Sequence, residues 1–164
     1  LGFRVKHKKN YRRTTYSSKS NYPNLIKGLE VASPNVIWQS DITYIEVNNT
    51  FYYAVFIIDV YTKEIVGYKV SDHMRATANV EALKSAIKKF GVPQIHHSDR
   101  GSQYVYKPYI ELLKSHETKI SMSLIAQENA YAERINKTIK EEYLAGWAID
   151  SFEHLKKCVK KAVK

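Results

Sequence analysis

The chain has a single cysteine, Cys158, in 164 residues. That excludes a small secreted fold stapled by disulfides and a cysteine-built zinc finger, and it fits a reducing compartment. Six histidines are scattered without metal-ligand spacing, so they do not suggest a zinc site either. Glycine and proline are sparse, at six and four, and no segment repeats. No run approaches the ~18 apolar residues of a membrane-spanning helix. No charged-then-apolar leader opens the chain, and its first residue is not Met, so the expectation is a fragment without a signal peptide. There is neither a Gly-rich nucleotide loop nor a G-x-S-x-G elbow, which removes two common routes to nucleotide binding and to serine hydrolysis.

Acid is also in short supply. Sixteen Asp and Glu stand against 26 Lys and Arg, a net charge of +10. That surplus favours polyanionic partners. What is plentiful is core material: 44% hydrophobic and 12% aromatic residues, enough for one domain of this length. Residues 1–20 hold seven Lys or Arg and no acid. With the Pro- and Asn-containing stretch up to residue 35 they read as a basic arm and linker, and residues 36–164 as the core.

The core opens on VIWQSDITYIEV, which alternates and is rich in β-branched and aromatic residues, as a strand should. A turn at Asn48–Thr50 leads to FYYAVFIIDVYT, apolar enough to be covered on both faces, and a further turn leads to EIVGYKVS. From Thr77 to Phe90 the period becomes helical, ending at Gly91 and Pro93. QIHHSD is a short strand, YKPYIELLKSH a helix, KISMS a strand and LIAQEN an irregular link. Asn129–Tyr143 is then expected as one helix with Ala132, Ile135 and Ile139 inward, and 150–163 as another, capped by Asp150 or Ser151. The order β-β-β-α-β-α-β-α-α implies an α/β fold: three antiparallel strands, then two parallel ones, in a mixed five-stranded sheet flanked by helices. Such a sheet opens a crevice at the carboxyl ends of its parallel strands.

Three acids stand where chemistry could occur. Asp41 lies mid-strand, where a carboxylate is costly unless paired, hydrogen-bonded or on a metal. Asp99 ends the fourth strand, just before Gly101. Glu133 lies on the later helix, with Lys137 and Lys140 on its side. Each alone has an ordinary explanation: a salt-bridged strand Asp, a turn Asp, a surface Glu–Lys pair. If the fourth strand lies beside the first, Asp41 and Asp99 approach each other. Three carboxylates with no cysteine suggest a hard divalent cation, Mg²⁺ or Mn²⁺, and two such ions would suit phosphoryl transfer. His96 and His97 point to opposite faces, with His97 as site-side support and His96 as packing.

The blocks VIWQSDITYI, HSDRGSQY, SMS and NAYAERINKTIKEEY, in that order, resemble the catalytic core of IS3-class insertion-sequence transposases, relatives of retroviral integrases. The resemblance covers residues 12–145 and includes RTTYSS and YPNLIKGLEVASPNVIW upstream. It implies a ribonuclease-H-like fold and an Asp-Asp-Glu triad at Asp41, Asp99 and Glu133 that holds two Mg²⁺ (or Mn²⁺) ions. It implies cleavage of DNA at the element's ends and attack of the freed 3′-hydroxyl on target DNA. Asp41 would bridge both ions, with Asp99 and Glu133 holding one each. It further implies contacts to DNA, or shaping of the site, by Arg100, Gln103, Tyr104, Asn129, Lys137 and Lys140. Self-association of catalytic subunits and a cytoplasmic, nucleoid-associated bacterial location come with it; no membrane is involved.

The sequence departs from the family pattern in two ways. The 33 residues between Asp99 and Glu133 are slightly fewer than usual, the difference falling in LIAQE, where relatives carry a longer Gly-containing stretch. Glu128 stands just before Asn129 as the local rival to Glu133, which is preferred for its place on the helix with Lys137 and Lys140. The chain also lacks the family's upstream helix-turn-helix and its segment after the last helix, so a truncated core is expected. Two other readings stay open: a ribonuclease-H-like nuclease, and a DNA-binding fragment without catalysis.

Overall fold

In a computed structural model, residues 22–164 are described; the basic arm expected at 1–20 lies outside them. Five strands form one sheet: β1 Ile37–Val47, β2 Thr50–Asp59, β3 Ile65–Ser71, β4 Ile95–Ser98 and β5 Lys119–Met122. Their order across the sheet is β3-β2-β1-β4-β5, with β1–β2 and β2–β3 antiparallel and β1–β4 and β4–β5 parallel. This is the expected mixed sheet, with β4 on the free side of β1.

The β1–β2 hairpin closes on two residues, Asn48 and Asn49, at φ 50° and 62°. Asparagine tolerates the left-handed region that this turn demands. The β2–β3 turn is organised by Asp59, whose carboxylate accepts the N–H groups of Tyr61 and Thr62 at 2.8 and 3.0 Å. Its other oxygen accepts the Asn35 N–H at 2.6 Å and the Trp38 indole N–H at 3.2 Å.

Helices cover both faces. α1 Thr77–Phe90 and α2 Lys107–Ser115 lie over one. There Trp38, Ile42, Val55 and Ile57 pack against Leu83, Ala86, Tyr109 and Leu113. On the other face, α3 Ala130–Thr138 and α4 Phe152–Ala162 close over Ile45, Val47, Ala54, Phe56 and Val70. Alternation along β1 thus supplies both cores from one strand. α1 approaches β3 so closely that a Cβ on Gly67 would lie 2.8 Å from the Ala82 carbonyl and from the Ala86 methyl.

One expectation changes. The helix expected over Asn129–Tyr143 is composite: a 3₁₀ turn at Ala126–Asn129, then α3, then a π-helical turn at Ile139–Leu144. Ile139 and Leu144 are both buried in the same cluster. At 100° per residue an α-helix would set them ~140° apart; the wider i→i+5 turn keeps both inward. Residues 22–36, expected as linker, pack onto the core without regular structure. The Pro23 carbonyl accepts the Met122 N–H at 3.2 Å, and the Leu25 N–H reaches Ser121 Oγ at 2.8 Å. Asn35 binds Phe90, Trp38 and Gln94 besides Asp59, so the end of the expected linker is tied to the core.

Candidate active site

In the parallel β1–β4 pair, Ser40 faces Ser98. Asp41, midway along β1, therefore lies beside Asp99, the residue that follows the last of β4. Asp99 Oδ1 accepts the Gly101 N–H at 2.9 Å, which turns the chain away from β4.

α3 is fastened across β1 by three amide side chains. Gln39 Oε1 accepts the N–H groups of Tyr131 and Ala132, at 3.1 and 3.4 Å, capping the helix from a distant strand. Asn129 Nδ2 donates to the Ser40 carbonyl at 3.0 Å. Asn136 Nδ2 donates to Asp41 Oδ2 at 2.8 Å. Gln39 and Asp41 are two apart on one face of β1, and Asn136 is one turn beyond Glu133. Those spacings were the available signal for Gln39 and Asn136, which the sequence reading passed over.

The electrostatics tie the acids together. The Asp41 carboxyl is pushed up to about 7, first by burial, then by the charge of Asp99, and further by Glu133; the Ile42 backbone and Asn136 oppose the shift. Glu133 is also raised, by burial and then by Asp99. Glu128 acts elsewhere. Its carboxylate accepts the Leu124 N–H at 2.7 Å, and that bond chiefly holds it below the usual range. Among the described residues no three His, Cys, Asp or Glu side chains close into a ready metal cage. The donor chemistry nonetheless fits a hard divalent cation: Asp41, Asp99 and Glu133 offer only oxygens, and their like charges raise Asp41.

The residues expected to touch DNA divide. Tyr104 is 1% exposed, with its hydroxyl 2.9 Å from Ser40 Oγ. Gln103 is buried and donates to the Met74 carbonyl at 3.2 Å. Asn129 is buried under α3. These three lie buried, which favours shaping of the site over contact with DNA. Arg100 is half-buried beside Asp99. Lys137 is exposed, 3.8 Å from Glu141. Lys140 falls on the π-helical turn, out of the α-helical register with Glu133. It is half-buried over the Tyr44 ring at 5.1 Å, and burial lowers its ammonium, with Glu141 and Asp41 opposing. His97 Nδ1 meets Ser121 Oγ at 2.8 Å and His96 Nε2 meets the Tyr109 hydroxyl at 2.8 Å, one on each face of β4.

This sheet order, with helices on both faces, is the ribonuclease-H-like architecture of polynucleotidyl transferase cores. Residues 31–126 match the Integrase core domain family, and the chain belongs to that family. It is 34% identical over 158 residues to an insertion element IS600 uncharacterized 31 kDa protein of Shigella sonnei, covering 92% of this chain and 58% of that protein. It is 32% identical over 119 residues to the transposase InsF for insertion sequence IS3A of Escherichia coli, covering 70% and 41%. The chain spans about half the length of the curated relatives it matches. Among solved structures, the HTLV-2 integrase catalytic core domain in complex with magnesium superposes with a TM-score of 0.65 at 22% identity, over 79% of this chain and 83% of that one.

Proposed function

We propose that the chain is the catalytic core of an insertion-sequence transposase that cuts DNA strands and joins the freed 3′-hydroxyl to target DNA. The observation that carries this reading is the meeting of three acids at half-buried Asp41, whose carboxyl is raised first by desolvation, then by Asp99, and further by Glu133 from α3. Hydrogen bonds from the Ile42 backbone and Asn136 offset that shift only in part, and the like charges of Asp99 and Glu133 add to it, which is unlike a carboxylate held by a cation for structure alone.

Asp41, Asp99 and Glu133 would hold two divalent cations, Mg²⁺ or Mn²⁺, consistent with the magnesium named for the HTLV-2 core. When bound, the cations supply Lewis acidity for an attacking oxygen and for the leaving 3′-oxygen. The chain's own residues do the rest. Asn136 fixes the rotation of the Asp41 carboxylate. Gln39 and Asn129 fix α3, and so the approach of Glu133 to Asp41 and Asp99. Lys137 and Lys140, with Arg100 beside Asp99, hold phosphates and position DNA without reading its sequence. DNA at the element ends and at the target is the partner, and self-association is expected in the active complex, in a bacterial cytoplasmic, nucleoid-associated setting.

The test is strand cleavage and strand transfer on labelled duplex DNA with Mn²⁺. Asp99→Asn should abolish both products while DNA affinity stays within about twofold, because the acid is not a phosphate contact. Retained cleavage in that variant overturns the assignment, and cleavage without a joined product in the parent chain turns it to a nuclease.

A further inference from the structure

Three neighbouring aromatic rings on the β1–β2 hairpin stand outside the cores. In the register of the hairpin Tyr44 faces Tyr53 and Glu46 faces Phe51, the next steps after the Ile42–Val55 pair. Side chains alternate along a strand, so Tyr44, Tyr53 and Phe51 share the sheet face of Ile42 and Val55, the face over which α1 and α2 lie. The packed cluster stops at Ile42 and Val55. The three rings beyond it are half-buried and belong to none of the hydrophobic clusters among the described residues. Tyr44 and Phe51 meet edge to face, with centroids 5.5 Å apart.

Cations border this row on both sides. β4 pairs with β1 only over Ile37–Ser40, so past Ser40 that edge of β1 is met by no further strand among the described residues. There Lys140, on the turn after α3, brings its ammonium to 5.1 Å from the centre of the Tyr44 ring. On the β3 side Tyr53 lines a narrow cleft with His73 and Arg75, and Arg75 is exposed. Exposed Glu46, across from Phe51, closes the row at its far end. A cross-strand ring pair by itself only steadies a hairpin. Rings set between cations, on the strand that carries Asp41, have the chemistry of a stacking platform, where bases lie on the rings and cations hold the phosphates. Bases inside a duplex are already stacked on one another, so such a platform takes unpaired ones.

Resting on the transposase reading above, we propose that Tyr44, Phe51 and Tyr53 stack unpaired bases of the strand that is cut, with Lys140 and Arg75 on the phosphates between them. Tyr44 is three residues from Asp41, about 10 Å along the strand. Stacked nucleotides rise about 3.4 Å each, so the first ring lies about three nucleotides from a phosphate held at Asp41. Stacking tolerates any base, and the platform therefore selects an opened strand rather than a sequence.

The experiment uses the full chain in Ca²⁺, which holds off cleavage, and duplexes carrying a single-stranded tail of about five nucleotides, at the 5′ or the 3′ end. One set of tails has bases, with a 2-aminopurine among them; the other is abasic and keeps only the phosphates. The parent chain should bind the tail with bases about tenfold more tightly than the abasic tail in at least one polarity, with 2-aminopurine fluorescence quenched as the base stacks. Tyr44→Thr/Phe51→Thr, which keeps strand-forming residues without rings, should bind both tails with the parent's affinity for the abasic one and leave the fluorescence unquenched. Tyr44→Phe/Phe51→Tyr, which keeps both rings, should retain the preference. Equal binding of the two tails by the parent chain in both polarities, or a preference surviving in the threonine variant, overturns the platform while leaving the transposase reading standing. No binding of any of these duplexes by the parent chain overturns both.

Discussion

Asp41 is the residue where the fold and the chemistry pull in opposite directions. Its carboxyl is raised from 3.8 to about 7 by burial, Asp99 and Glu133. The folded chain therefore holds this proton more tightly than the unfolded chain does. The stabilisation is complete below about pH 3.8 and is lost as pH rises through about 7, so without metal the protein loses stability across that window. The whole shift corresponds to at most about 4 kcal/mol. Asp41→Asn removes the ionisation. Because Asn136 Oδ1 is buried without a partner, an amide at position 41 can also donate to it. Metal-free Asp41→Asn should accordingly melt higher than the parent at pH 8 and about the same at pH 4. Mg²⁺ should raise the parent's Tm more at pH 8 than at pH 5, and do little for the variant. Thermal melts at the three pH values, with EDTA or with Mg²⁺, check both. A second prediction concerns Asn136 alone. Asn136→Ala leaves Asp41 without its side-chain donor, and should lower cleavage about 10- to 100-fold and weaken Mn²⁺ binding, with DNA affinity unchanged.

Among the elements, β3 and α3 show how local sequence is read by distant neighbours. Gly67 lies in β3 under α1, where a Cβ would meet the Ala82 carbonyl at 2.8 Å. Backbone cannot yield as a flexible side chain can, so Gly67→Ala should cost about 1–3 kcal/mol, read as a drop in urea midpoint with an unchanged slope. The strand pattern, the helical stripe over Thr77–Phe90 and the adjacency of β1 and β4 were legible because alternation and period follow directly from burial. Asp41 and Asp99 could be placed side by side for the same reason. The composite helix was not legible. Its 3₁₀ start depends on Gln39 and Asn129 reaching across from or to β1, and its π turn on Leu144 finding the same cluster as Ile139. Both are tertiary effects that override a local period. The place of Tyr104 was open for a related reason. A tyrosine beside Asp99 and Arg100 looks like a site-facing residue, but its ring completes the cluster with His96 and Tyr109, and its hydroxyl is taken by Ser40. Asp59 was not singled out, because an acid that organises a turn looks in sequence like any strand-end Asp.

Taken over the molecule, the +10 charge is unevenly useful. Lys137 and Lys140 follow Glu133 along β1, with Asn136 on Asp41 and Lys140 over the Tyr44 ring three residues further on. Lys156, Lys160 and Lys164 line a groove of about 810 Å³ along β3, the sheet edge farthest from β4 and β5. On the proposed reading, DNA seated for cleavage would meet the first pair near the reacting phosphate, and the second group would only extend the footprint. Binding should weaken with salt at a slope of about −0.9 per phosphate neutralised. Lys137→Ala/Lys140→Ala should make that slope shallower by about 2 and also reduce cleavage of bound DNA, since the phosphate near the acids is no longer held. Lys160→Ala/Lys164→Ala should change the slope by no more than that and leave cleavage of bound DNA intact. Binding isotherms at several salt concentrations, paired with single-turnover cleavage at saturating protein, separate affinity from positioning. Equal losses of single-turnover rate in the two variants would mean that DNA runs along the β3 edge, and that the Asp41–Asp99 region is not where it is cut.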